Sequence, residues 1–158
     1  MATKKVIVLR GEGNGGKTTT LNKLIKKMLS FEKSTFLLGN PNNATFTDED
    51  KDRWVIIKYY DKTVAILTAG DGAQDLTKNF EEISHQFSDP IDIYVCASRS
   101  RGKTIEYITK KFKDNVILWE RKWDIWREDQ IKNPVIEKLR NESNDLQALV
   151  LLDTIDKI

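Results

Sequence analysis

Hydrophobic residues along this chain alternate between two spacings. Short, continuous apolar runs rich in β-branched residues are typical of strands buried on both faces, whereas apolar residues three or four positions apart are typical of helices. The pattern predicts strands at 4–10, 34–39, 89–98 and 115–121, and helices at 17–29, 73–87 and 104–113.

Three further segments complete the predicted organisation. Residues 53–72 hold two strand patterns joined by Asp61 and Lys62, which predicts an antiparallel hairpin. Residues 40–52 are rich in turn formers and acids and predict a loop. From about Glu128 to Ile158 the pattern is mostly helical, with a break expected near the NESND stretch at 141–145.

Strands that alternate with helices favour a mainly parallel sheet with helices on both of its faces. We therefore expect an α/β fold, a three-layer sandwich that includes the antiparallel hairpin. The chain has 158 residues, with no internal repeat and no proline-rich linker, so we expect a single domain spanning residues 1–158.

Composition narrows the class of protein. The chain is 39% apolar and 32% charged, and no apolar run approaches the roughly 18 residues that a membrane span needs. The N-terminus lacks a signal-peptide core and Cys96 is the single cysteine, which together predict a cytoplasmic protein without membrane attachment. The net charge of +2 argues against a protein that mainly coats nucleic acid.

Residues suited to ligand binding or catalysis follow three of the predicted strands. In parallel sheets, ligands collect at the carboxyl ends of the strands. Three of those ends lead into unusual polar or glycine-rich stretches, which are GEGNGGKT at 11–18, TAGDG at 68–72 and SRSRGKT at 98–104.

The first of these stretches, the phosphate loop, matches the pattern G-x-x-x-x-G-K-[ST] at Gly11, Gly16, Lys17 and Thr18. Its glycines let backbone N–H groups point inward, and the following helix adds its positive end, so an anion is favoured there. Lys17 can reach the β- and γ-phosphates, and the Thr18 hydroxyl can bind Mg²⁺. The alternative is a glycine-rich turn that binds nothing. The candidate nucleotide-binding residues are Gly11, Glu12, Gly13, Asn14, Gly15, Gly16, Lys17, Thr18 and Thr19.

Through this loop and the alternating pattern, the chain resembles the P-loop NTPase superfamily. The resemblance implies the P-loop NTPase fold and a bound nucleoside triphosphate, ATP or GTP, with Mg²⁺. The loop is also similar to the KGGxGKTT loop of the partitioning and nitrogenase-iron-protein class, but Glu12 stands where that class has its signature lysine. No N-K-x-D motif of the kind that reads guanine is present, which favours ATP over GTP.

The second strand end, LTAGD, resembles the D-T-A-G-Q motif of small GTPases, with Leu67 in place of the aspartate. We expect this segment to neighbour the phosphate loop and Asp71 to supply the missing acid, ordering a magnesium-bound water or the attacking nucleophile. This interpretation assumes that no other strand end supplies an acid. The alternative is that Asp71 and Asp75 only cap the helix beginning near Ala73.

The third strand end carries Arg99 and Arg101, in a position that resembles the lid and base-binding region of P-loop kinases. Arginine can stack on a purine, bind phosphate oxygens or stabilise charge during phosphoryl transfer. The alternative is a basic loop that faces water.

These residues predict an ATP–Mg²⁺-binding NTPase that hydrolyses or transfers the γ-phosphate. Its catalytic candidates are Lys17, Asp71, Arg99 and Arg101, and its metal candidates are Thr18 and Asp71. One alternative is a small-molecule or nucleotide kinase. Another is a non-catalytic nucleotide-binding switch or accessory subunit, which Leu67 favours and whose protein partner would dock on the C-terminal helix. A nucleic-acid surface at Trp119, Trp123 and Trp126 is less favoured than packing or a protein interface.

Overall fold

Strands and helices alternate along the chain as the apolar spacing predicts. The computed structural model describes residues 4–13, 16–43, 51–123 and 134–158. In chain order the elements are β1 (Lys5–Arg10), α1 (Lys17–Leu29), β2 (Ser34–Asn40), β3 (Trp54–Tyr59), β4 (Lys62–Leu67), α2 (Ala73–Gln86), β5 (Ile93–Ser98), α3 (Lys103–Lys111), β6 (Val116–Arg121) and α4 (Pro134–Lys157).

The six strands form one mixed sheet in the order β2-β3-β4-β5-β1-β6. Strands β4, β5, β1 and β6 pair in parallel, whereas β3 is antiparallel to both β4 and β2. The predicted hairpin is present as β3 and β4. The prediction of a mainly parallel sheet is correct for one end only, because β2 also pairs antiparallel and extends the hairpin into a three-stranded antiparallel region.

Helices cover both faces of the sheet, as predicted. On one face, α1 and α4 contact each other and bury a core that includes Leu21, Ile25 and Leu151. On the other face, Phe80 of α2 and Ile108 of α3 are buried in a second core. In the described ranges, no helix has both the length and the apolar character that crossing a membrane requires.

The expected helix break near residues 141–145 is wrong, since α4 runs without interruption through this stretch. Its asparagines and serine have low helix propensity, but packing outweighs that cost. Asn144 is buried against α1, where its Oδ1 accepts a hydrogen bond from Thr20 Oγ1 at 3.2 Å. Leu151 and Ile155 continue the same contact into the core.

Strand direction determines which segments meet at the site. The carboxyl ends of β4, β5, β1 and β6 lie along one edge of the sheet because these strands are parallel. Strand β3 runs the opposite way, with Trp54 paired to Leu67, so the residues that precede β3 reach the same edge. The phosphate loop is therefore flanked by the ends of three parallel strands and by the start of an antiparallel one.

Gly70 allows the segment after β4 to pass close to β5. A Cβ atom at this position would overlap the carbonyl carbon and oxygen of Ala97, and these are backbone atoms that cannot rotate away. Gly70→Ala should therefore lower the free energy of unfolding by about 1–3 kcal/mol. Chemical denaturation measures the effect, and Gly72→Ala is the matched control because its Cβ would meet nothing nearer than Asp75 Oδ2 at 3.7 Å. Equal stability of the two variants would contradict the close approach.

Candidate functional site

The phosphate loop joins β1 to α1 at the predicted positions, with β1 ending at Arg10 and α1 beginning at Lys17. Gly16 immediately precedes the helix with a φ of 88°, in the left-handed region that favours glycine. A Cβ atom there would also lie 3.1 Å from the Asn144 side-chain amide. The residue that precedes α1 is a glycine, which has no side chain to cap the helix, so backbone N–H groups of the first turn are available to an anion. Two of the candidate nucleotide-binding residues, Asn14 and Gly15, lie outside the described residues.

Lys17 is held at the mouth of the phosphate loop. Its side chain is only 4% exposed, and its ammonium donates to the carbonyl oxygens of Gly11 and Glu12, each at 2.8 Å. The ammonium also forms an ion pair with Asp71 Oδ1 at 3.3 Å. Burial lowers the pKa of Lys17, and the nearby Asp71 carboxylate opposes that shift. The cation is thus fixed in position by three oxygen atoms, one for each of its N–H donors.

Asp71 reaches Lys17 although β5 separates β4 from β1 in the sheet. The segment after β4 therefore neighbours the phosphate loop, as the sequence predicts. Helix α2 begins after Gly72, which has no side chain of its own to cap the helix. Asp71 pairs with Lys17 and so does more than cap α2, whereas Asp75 lies in the first turn of that helix.

A second acid, Asp52, lies on the other side of the site. Its Oδ1 accepts hydrogen bonds from the hydroxyls of Thr18 at 3.0 Å and Thr68 at 3.4 Å. The Thr68 hydroxyl in turn accepts a hydrogen bond from the Arg53 backbone N–H at 2.8 Å, which fixes the start of β3 against the end of β4. Asp52 was not among the predicted site residues, since it precedes a strand rather than following one. The antiparallel direction of β3 brings Asp52 to the edge where β4 ends.

A cavity of about 490 Å³ extends from these residues to α4. The first turn of α4 and the next two turns contribute polar side chains to its wall, a contribution that the sequence analysis missed. The residues that line the cavity are Gly16, Lys17, Thr18, Thr19, Asp52, Thr68, Gly70, Asp71, Glu137, Arg140, Asn141 and Asn144.

The two predicted arginines differ in position. Arg99 Nε donates to the Asp71 carbonyl oxygen at 2.9 Å, and a Cβ atom at Gly13 would lie 3.2 Å from Arg99 Nη2. Arg99 therefore lies against both the phosphate loop and the Asp71 segment. Arg101 is exposed, and no hydrogen bond or ion pair from the described part of the chain holds its guanidinium. The structure brings Arg99 to the site and leaves Arg101 outside it.

Glu12 connects the phosphate loop to the segment after β5. Its Oε1 accepts a hydrogen bond from Ser100 Oγ at 2.9 Å. Arg10 Nε donates to the Ser100 carbonyl oxygen at 2.8 Å. These contacts fix the base of the loop on the side opposite α4.

Magnesium fits the donor set at Thr18 if a nucleotide supplies further ligands. No group of three or more His, Cys, Asp or Glu residues suited to a metal occurs within the described ranges. However, the Thr18 hydroxyl and the Asp52 carboxylate are adjacent hard oxygen donors. Mg²⁺ is commonly bound through one or two carboxylates together with substrate phosphates and waters. Asp52, rather than the predicted Asp71, makes the contact with Thr18.

The tryptophan cluster is only partly described. Trp119 of β6 and Trp123 just after it are 39% and 43% exposed, so neither is fully buried among the described residues. Trp126 lies outside the described residues. The indole of Trp119 borders a second cavity on the side of the phosphate loop where Glu12 lies.

Comparisons with known proteins do not assign this site. No family model matches the chain, and no curated protein or solved structure matches it either. The functional proposal therefore rests on the residues of the site.

Proposed function

We propose that this chain is a P-loop NTPase that binds ATP with Mg²⁺ at residues 11–19 and cleaves the γ-phosphate by hydrolysis or transfer. One observation carries the proposal. The first two residues of α1 each contact a carboxylate: the Lys17 ammonium lies 3.3 Å from Asp71, which follows β4, and the Thr18 hydroxyl lies 3.0 Å from Asp52, which precedes β3. This arrangement brings a cation and two acids to the start of one helix, which are the charges that binding of ATP with Mg²⁺ requires.

Phosphate binding is supported by the charge at the start of α1. The uncapped helix terminus offers backbone N–H groups, and the Lys17 ammonium lies in the same loop. A triphosphate would bind to both and would take over from Asp71 as an acceptor for the ammonium. The low exposure of Lys17 strengthens its interaction with a bound anion because few water molecules screen it.

Metal binding is proposed for Thr18 and Asp52. A bound Mg²⁺ would neutralise charge on the β- and γ-phosphates, which is its usual contribution to phosphoryl transfer. Thr68 holds the Asp52 carboxylate from the other side. This hydrogen bond orients the carboxylate in the way that supporting residues orient metal ligands.

Asp71 and Arg99 are proposed to act on the reacting groups. The Asp71 side chain is 56% exposed and faces the cavity, so it is accessible to an attacking water or hydroxyl and can accept its proton. Arg99, adjacent to Gly13, is placed to stabilise negative charge on the phosphates. Arg101 is not included because the described contacts do not bring it to the site.

The two alternatives each have one supporting observation. The cavity continues beyond the two aspartates to polar residues of α4, among them Glu137 and Arg140, which favours a second substrate and hence a kinase. The opposite face of α4 is apolar and exposed at Val135, Leu139, Leu146, Leu149 and Val150, which favours a nucleotide-dependent docking surface for a protein partner. ATP is proposed rather than GTP because the sequence has no N-K-x-D motif of the kind that reads guanine.

Incubation with ATP labelled at the γ-phosphate, with and without Mg²⁺, tests the proposal. We expect Mg²⁺-dependent release of labelled phosphate, or its transfer to an acceptor when nucleosides and small metabolites are added. Binding measured by calorimetry without turnover would favour the switch. Absence of ATP–Mg²⁺ binding at millimolar concentration would contradict the proposal as a whole.

A further inference from the structure

A second cavity, of about 460 Å³, lies on the opposite side of the phosphate loop. It opens between the carboxyl ends of β5, β1 and β6. Its lining includes Gly11 and Glu12, the first two residues of the phosphate loop, whereas the first cavity is lined by the end of that loop and the start of α1. The phosphate loop therefore contributes residues to the walls of both cavities.

An aromatic ring and a guanidinium form one wall of the second cavity. The Arg10 guanidinium carbon lies 5.9 Å from the centroid of the Trp119 ring, within the range of a cation–π interaction. Arg10 is held in place by its hydrogen bond to the Ser100 carbonyl oxygen. Trp119 belongs to the edge strand β6 and is 39% exposed as a residue, with the Arg10 cation beside its ring. Both groups can stack on a planar, electron-rich ligand.

Glu12 adds a hydrogen-bond acceptor to the same cavity. Its carboxylate is oriented by the Ser100 hydroxyl at 2.9 Å, and its side chain lies at the surface. A carboxylate has several acceptor positions, so it can accept from a ligand hydroxyl or amino group while Ser100 remains bound. A purine nucleoside presents such donors beside a planar ring.

We propose that the second cavity binds the purine base of the nucleotide whose phosphates occupy residues 11–19, with the base stacked on Trp119. The inference rests on the proposed nucleotide binding. Base binding is thereby assigned to Trp119 instead of to Arg99 or Arg101. Arg99 is bound to the Asp71 segment and lies next to Gly13, and Arg101 is exposed.

Calorimetric titration with two ligands tests the inference separately from the phosphate site. ATP–Mg²⁺ carries the base, and tripolyphosphate–Mg²⁺ lacks it. Trp119→Ala should weaken ATP binding by about 5- to 150-fold, the range for loss of one base–aromatic stack, and should leave tripolyphosphate affinity within about twofold. Trp119→Phe should recover part of the ATP affinity because it restores an aromatic face. Trp123→Ala is the matched control, since Trp123 is similarly exposed but does not line the cavity.

The outcomes separate the two proposals. If Trp119→Ala weakens ATP no more than Trp123→Ala does, the base is not stacked on Trp119, whereas tripolyphosphate binding to both variants would still support the phosphate site. Equal loss of ATP and tripolyphosphate affinity in Trp119→Ala would also overturn the inference, because it would indicate disturbance of the phosphate loop. If the unaltered chain binds neither ligand, the proposed function fails and the inference fails with it.

Discussion

Replacing Lys17 by alanine should reduce ATP–Mg²⁺ turnover by more than about 100-fold, comparable to the loss of a single preorganised donor from other catalytic sites. The ammonium is positioned before ligand binding by the carbonyls of Gly11 and Glu12 and by Asp71. Without it, the Asp71 carboxylate would face the phosphates with no cation between them. Binding and turnover should therefore both fall.

The Lys17→Ala effect is measured by phosphate release and by titration with ATP–Mg²⁺. Lys26→Ala, in the last turn of α1, is the matched control and should behave as the unaltered chain does. Chemical denaturation checks that the variant is folded, because the Gly11 and Glu12 carbonyl oxygens lose their hydrogen-bond donor. ATP affinity within threefold of the unaltered chain, in a folded Lys17→Ala variant, would be incompatible with the proposed phosphate site.

The part of the site that could be predicted from the sequence is the part encoded by neighbouring residues. The strand ending at Arg10, the turn and the helix beginning at Lys17 follow one another without interruption, and their apolar spacing changes at the boundaries. Local chemistry is sufficient there because glycine conformation and helix-terminal charge act within a few residues. The alternation of strands with helices likewise predicts helices on both faces of the sheet.

The remaining site residues depend on contacts between distant segments. Asp52 is 34 positions from Thr18, and their contact requires the direction and register of β3. Asn144 is 124 positions from Thr20, and their contact requires α4 to remain helical through a stretch of poor helix formers. Apolar periodicity specifies which face of an element is buried, but it does not specify strand order. The antiparallel pairing of β2 was missed for the same reason.

Asp52→Asn should raise the Mg²⁺ concentration required for half-maximal ATP turnover by about 10- to 100-fold, the usual range for disturbed metal ligation. Asparagine keeps the size of the side chain and an oxygen acceptor for the Thr18 hydroxyl. It removes the negative charge, so the donor pair at Thr18 would attract Mg²⁺ less strongly. Binding of metal-free ATP should be unchanged or tighter, because one carboxylate no longer repels the triphosphate.

Asp71→Asn separates the roles of the two acids. Asp71 contacts Lys17 rather than Thr18, so its amide variant should lose turnover while its Mg²⁺ requirement stays within about threefold of that of the unaltered chain. Titration of both variants with Mg²⁺ at fixed ATP gives the comparison. If Asp71→Asn raised the Mg²⁺ requirement and Asp52→Asn did not, the metal would belong with Asp71, as the sequence first indicated. The contact between Asp52 and Thr18 would then be structural, holding the start of β3 against α1.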